Sequence, residues 1–137
     1  MEDCIFCKII KKEIPTDIVY EDKDIMAFLD INPSNKGHTL VMPKKHSKNL
    51  LENNEEDLKR LVLAIKKIGN AVMKVTNAEG MNILSNINPI AGQVVFHTHV
   101  HITPRYKDDG ISFKIQRKAY NEGESKELAS KIKSLLK

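Results

Sequence analysis

Apolar residues recur along this chain with two different periods, and the changes of period divide it into elements. From Asn54 to Asn77 the period is helical. Leu58, Leu61, Val62, Ile65, Ile68, Val72 and Val75 form the expected buried stripe, while Lys59, Lys66, Lys67 and Lys74 fall on the solvated side. Asn54 is a capping residue, and Glu55, Glu56 and Asp57 suit the positive end of the helix dipole. Upstream, "DIVYED" and "IMAFLDI" are β-rich runs separated by Lys23 and Asp24, which predicts a hairpin. The stretch "NPSNKG" (32–37) is turn chemistry and delivers a third strand, "HTLVM", stopped by Pro43. "CIFCKIIKKEI" holds a short helical turn before Pro15. After the long helix come a short strand, "MNILS", a loop, "NINPIAG", and a strand from about Val94 to Thr103 ended by Pro104. A second amphipathic helix using Leu128, Ile132 and Leu135 closes the chain. Strands in hairpins with helices packed on one side predict an α+β fold built on an antiparallel sheet. With no internal repeat or long linker, residues 1–137 are expected to form a single domain.

Composition narrows the class without changing that picture. A chain of 137 residues can bury a core without staples, and with 5% aromatic residues and no Trp that core must rest on Ile, Leu and Val. No apolar run reaches membrane-spanning length, and "MEDCIFCKII" lacks the positive region of a secretory signal. A cytoplasmic protein with no membrane partner is expected. The net charge of +4 comes from lysines spread along the chain. Interleaved aromatics for stacking bases are absent, so nucleic acid is not an expected partner, whereas a modest positive field favours small anions.

The histidines carry the chemistry. Three of the five, His97, His99 and His101, alternate with Thr98, Val100 and Ile102 in "FHTHVHITPR". Successive side chains on a strand point to opposite faces, so the three rings share one face with Gln93 and Val95. Phe96, Thr98, Val100 and Ile102 line the other face, which suits a core. Two chemistries fit the row. Imidazoles at this spacing can hold a catalytic metal. Alternatively, a neutral ring can attack phosphorus while its neighbours donate protons or hydrogen bonds.

The stretch "GQVVFHTHVHITPR" resembles the signature of the histidine-triad superfamily. In order, "CIFCKII", "VYED", "AFLDINP", "GHTLVMPKKH" and "AGQVVFHTHVHITPR" are similar to its bacterial, Hint-like branch over residues 4–106. The resemblance implies an antiparallel sheet with helices, pairing across a homodimer. It also implies binding of purine nucleoside monophosphates and hydrolysis of phosphoramidates or adenylates through a covalent nucleotidyl-histidine. His99 matches the nucleophile and His101 the phosphate contact, with His97 and His38 completing the catalytic set. Asp30 matches the carboxylate that holds the ribose hydroxyls, a role its acceptor chemistry suits. Asn86 and Gln93 match groups near the phosphate and leaving group. Where many Hint-type proteins carry a serine after that glutamine, this chain has Val94.

Cys4 and Cys7 are the only cysteines. A Cys-x-x-Cys pair is half a zinc site, and a structural disulfide is not expected in an intracellular chain. Related superfamily members hold zinc with a similar pair, a later histidine and the first triad histidine. Carried over, the ligands are Cys4, Cys7, His46 and His97, a structural site with all four positions filled by protein, and no catalytic metal is implied. Against the phosphoramidase reading stand hydrolysis of dinucleoside polyphosphates, a non-enzymatic nucleotide-binding or interaction module, and a metal-dependent hydrolase.

Overall fold

The computed structural model of the protein describes residues 3–136. Five strands form one antiparallel sheet in the order β1-β2-β3-β5-β4: β1 (Ile18–Glu21), β2 (Ile25–Leu29), β3 (Thr39–Pro43), β4 (Gly80–Leu84) and β5 (Val100–Arg105). The helices are α1 (Ile5–Ile10), α2 (Glu55–Thr76) and α3 (Glu124–Ser134). Among the described residues, no helix is long and apolar enough to cross a membrane.

The sheet is covered on both faces rather than one. Ile25, Ala27, Val41, Val100 and Ile102 pack against Leu61, Ala64 and Ile68 of α2. Met26, Phe28, Leu40 and Met42 pack against Phe6 and Ile9 of α1. Strand alternation then sends apolar residues both ways, which is why β3 is buried along its whole length. A helix as short as α1 carries too little periodicity to announce this from sequence.

Helix α2 has the expected caps. Asn54 accepts the Asp57 N–H at 2.8 Å, and Asn77 ends the helix at φ 53°, donating its N–H to the Met73 carbonyl. Its buried stripe is narrower than the seven residues expected. Val62 and Val75 are exposed, and Ala64 and Gly69 are buried in their place. Small residues at 64 and 69 let the helix lie close to the sheet; Gly69 faces the Met81 sulfur.

The histidine strand also differs from expectation. Regular pairing begins at Val100 rather than Val94, and Phe96 is exposed instead of entering the core. Residues 93–99 run as a segment anchored by single hydrogen bonds, such as that from the Thr98 N–H to the Ser47 carbonyl at 2.7 Å. Pro104 lies within β5, opposite Met81, and does not end it. Its carbonyl accepts from Asn35 on the β3 side, where strand pairing has already stopped at Thr39–Ile102, so the missing N–H breaks no ladder bond there.

Two features lock the turn before β3. Gly37 has φ +97°, and a Cβ there would stand 2.7 Å from Thr76 Cγ2. Asn35 also donates to the Asp109 carboxylate, which accepts from Arg105, Tyr106 N–H and Ile111 N–H as well. The closing helix α3 buries none of its residues.

Candidate functional site

Register carries the histidines to one place. His101 sits between Leu40 of β3 and Leu84 of β4, and therefore on the α1 face of the sheet. Helix α1 stops short of covering it, leaving a cavity of about 520 Å³. Phe6, Phe28 and Leu40 form apolar walls, and Asp30, Asn86, His99 and His101 supply the polar groups. A volume of this order suits a single small ligand.

The hydrogen-bond partners fix how each ring carries its proton. The His97 carbonyl can only accept, so His99 donates Nδ1–H to it at 2.6 Å and keeps an unprotonated Nε2. The Ser34 N–H donates to His38 Nδ1 at 3.1 Å. The His38 proton is therefore on Nε2, which donates to His101 Nδ1 at 2.9 Å. His101 in turn carries its proton on Nε2. A free lone pair on His99 thus stands next to an N–H on His101, with ring centroids 5.0 Å apart.

The rings are neutral for a common reason. Burial lowers the pKa of His38, His97 and His99 below the ordinary imidazole value, with Asp30 opposing the effect at His38 and His99. Burial, then the neighbouring His99 and His38, pushes His101 down to about 4. A neutral His99 is the nucleophilic form.

The remaining expected residues divide. Asp30 reaches the cavity, with Oδ2 3.8 Å from His38 Nε2, while Oδ1 accepts the Asn32 N–H at 2.9 Å. Asp30 therefore stabilises the following turn as well. Asn86 lines the cavity and donates to the Gly92 carbonyl at 3.3 Å. Gln93 is turned away. Its amide donates to the Lys48 and Val95 carbonyls, and its oxygen accepts the Asn88 N–H, so it ties the loop together from a buried position. Val94 lies at the cavity mouth, 84% exposed. Sequence reading passed over Phe6, whose ring meets that of His99 edge-on at 4.9 Å. Its position inside "CIFC" was the available signal, overshadowed by the flanking cysteines.

Beside this cavity Cys4, Cys7, His46 and His97 bring one ligand atom each to within 4.8 Å of one another. His97 donates Nε2–H to the Pro43 carbonyl at 2.8 Å, which leaves Nδ1 as a lone pair aimed at the cluster. Nδ1 lies 3.5 Å from each cysteine sulfur and 3.2 Å from His46 Nδ1, and Cys7 Sγ lies 3.4 Å from His46 Nδ1. Around a tetrahedral zinc such atoms are about 3.3–3.6 Å apart, so the donor set and its spacing fit that ion. Burial, and next the bond to Cys4, raise the Cys7 thiol to about 11; a bound cation inverts that preference. Asp30, His38 and His101 form a second grouping, but the two rings in it already use their facing nitrogens on each other.

In sequence and fold the chain is similar to known proteins. The family model described as HIT domain matches residues 11–108. An uncharacterized HIT-like protein of Borreliella burgdorferi is 50% identical over 135 residues, 96% of this chain and 97% of that protein. An adenylylsulfatase of Arabidopsis thaliana is 42% identical over 78% of this chain and 54% of its own. A crystal structure from Streptococcus mutans superposes with a TM-score of 0.95 at 42% identity, covering 100% of this chain and 87% of that one. A histidine triad nucleotide-binding protein from Candida albicans superposes at 0.87 with 34% identity, covering 98% and 97%. A HIT family hydrolase from Clostridium thermocellum does so at 0.70 with 37% identity, covering 85% and 99%.

Proposed function

Because the chain belongs to the HIT domain family, whose hydrolase and nucleotide-binding members it resembles, we propose that it hydrolyses purine nucleoside 5′-phosphoramidates or adenylates. The observation that carries this reading is the His99 ring. Its Nδ1–H is held by a backbone carbonyl, and its Nε2 lone pair is free beside the His101 N–H. The apolar walls take the purine, Asp30 accepts from the ribose hydroxyls, and His101 and Asn86 donate to the phosphate oxygens.

His99 Nε2 attacks the α-phosphorus. The bond to the leaving group breaks with its electron pair, and an amine leaves once its nitrogen has taken a further proton from solvent. Water then attacks the nucleotidyl-histidine and loses a proton to solvent, the P–N bond breaks with its electron pair returning to Nε2, and the nucleoside monophosphate is released. That the Arabidopsis relative is an adenylylsulfatase supports reading this site as one that reacts at an adenylyl phosphorus. In this reading Cys4, Cys7, His46 and His97 hold a structural zinc that ties α1 to the segment bearing His99. The protein is cytoplasmic in this reading, and a homodimer, as the resemblance implies.

Rapid quench without acid, followed by intact mass spectrometry, should detect an acid-labile, hydroxylamine-insensitive nucleotide adduct on His99. Turnover of a nucleoside phosphoramidate should persist in EDTA. Near-normal turnover by folded His99→Gly would overturn the mechanism and favour metal chemistry. AMP binding without any turnover would favour a binding module.

A further inference from the structure

The His38 proton is fixed by a backbone group on an exposed turn. Asn32, Pro33, Ser34 and Lys36 are all exposed, so packing holds the segment chiefly at Gly37, its far end. Yet the Ser34 N–H must stay on His38 Nδ1, 3.1 Å away, for that ring to present Nε2–H to His101. Among the described residues, Asn35 supplies the only side chain that hydrogen-bonds residues 32–37 to anything outside residues 30–39. Its amide nitrogen donates to the Pro104 carbonyl at 2.8 Å and to Asp109 Oδ2 at 3.0 Å.

Asp109 is a firm anchor for that bond. Its side chain is only 5% exposed, and its carboxylate also accepts from Arg105 Nε and Nη2 and from the Tyr106 and Ile111 N–H groups. The Arg105 guanidinium holds the carboxyl below the ordinary carboxylate range, so it stays ionised and can only accept. The Pro104 carbonyl can only accept as well. Position 35 therefore needs the N–H₂ end of an asparagine, and an aspartate of the same shape would oppose both partners. Arg105 is bound in turn to Asn82 of β4 at 2.6 Å. Asn35 thus fastens the turn to the end of β5, the strand that carries His101.

We propose that Asn35, held by Asp109, is a positioning residue: it seats the Ser34 N–H on His38 Nδ1 and thereby sets the order of protons along His38 and His101. The pair by itself has two orders of similar energy. His38 can donate from Nε2 to His101 Nδ1, or both rings can exchange tautomers and His101 can donate back, with one N–H···N bond in either case. Asp30 Oδ2, 3.8 Å from His38 Nε2, lies beyond hydrogen-bond distance. What distinguishes the orders is the group at His38 Nδ1, and water there, able to donate or accept, would select neither. A fixed peptide N–H selects the first order by about two- to tenfold, the range of one net hydrogen bond. The consequence for turnover rests on the catalytic reading above. There the first order gives His101 an Nε2–H for the phosphate oxygens, whereas the second turns a lone pair toward them.

The test uses the full-length chain with ¹⁵N in its histidine rings, observed by NMR at mildly alkaline pH, where the rings are neutral. In the wild type His38 and His101 should each show a protonated Nε2 and an unprotonated Nδ1. Asn35→Asp keeps the shape and removes both donors, and it should raise the share of the exchanged order by about two- to tenfold. Asn35→Ala, which adds no charge beside Asp109, should do the same and serves if the first variant fails to fold. In both, kcat/KM for a nucleoside phosphoramidate should fall in step with the fraction left in the first order. A lowered Tm with unchanged ring spectra would make Asn35 a turn-stabilising residue only and overturn the proposal. Exchanged tautomers with unchanged kcat/KM would overturn its positioning role. A wild type that turns over no phosphoramidate would instead defeat the catalytic reading, while the spectra would still decide what Asn35 does to the two rings.

Discussion

His97 and His99 are joined through the backbone: the carbonyl of the first accepts the Nδ1–H of the second at 2.6 Å. The same His97 points its ring at Cys4, Cys7 and His46. One residue thus anchors a ligand cluster with its side chain and sets the tautomer of the proposed nucleophile with its main chain.

That division separates stability from chemistry. Protein purified without added metal should contain about one zinc per chain, as one closed site requires. The Cys4→Ser, Cys7→Ser double variant should lose several degrees of Tm in thermal melts, while the single-turnover rate of the surviving folded enzyme changes far less. A metal-free wild type that is folded and fully active would remove zinc from the account.

His101→Ala should slow the chemical step by about 10²-fold or more, the usual contribution of a hydrogen-bond donor aimed at developing oxyanion charge. The adduct should still form on His99. His99→Gly should abolish both adduct and turnover while AMP continues to bind in calorimetry.

Asp30→Ala should weaken AMP or GMP binding by about 1.5–3 kcal/mol through lost charge-assisted hydrogen bonds. The 2′,3′-dideoxy nucleotide should bind the parent poorly and be almost indifferent to the change. Equal losses for both nucleotides would assign Asp30 to the Asn32 turn alone.

Neutral buried rings make stability depend on acidity. His101 titrates near 4 in the folded protein and near 6.5 when unfolded, so between those values the unfolded chain binds the extra proton. Its contribution is full above pH 6.5 and is lost as the pH falls toward 4. Melting temperatures should fall across that window, and His101→Gln should flatten the slope by up to about 1.4 kcal/mol per pH unit. Since burial also lowers His99, the acid limb of kcat/KM should lie below 6.5.

Gly37→Ala should destabilise the fold by about 1–3 kcal/mol, from its left-handed backbone and the 2.7 Å approach to Thr76 Cγ2. Adding Thr76→Ser removes that methyl while keeping the hydroxyl bond to the Val72 carbonyl, and chemical denaturation should show partial recovery.

Where local signals and tertiary demands agreed, the chain was readable. The caps and period of α2 placed it to within a residue, and the expected common side for the histidines holds for His101 by register and for His97 and His99 by their contacts with Phe6 of α1. The extent of β5 was not readable, because residues 93–99 are fixed by isolated bonds to Lys48 and Ser47 that leave no periodic trace. Gln93 shows the same limit: its partners are three backbone groups, which sequence does not distinguish. Val62 and Val75 carried a core pattern but are exposed, since periodicity reports an apolar face without naming what covers it.

The acceptor that aims His99 is a peptide oxygen, present whatever residue occupies position 97. No single substitution deletes it. Around it, Val94 and Ile31 are more than four-fifths exposed at the cavity mouth and support nothing beneath them. Selection can therefore rewrite the rim without disturbing the nitrogen proposed to attack. Descendants of such a chain can vary the mouth of the cavity while inheriting the same aimed ring.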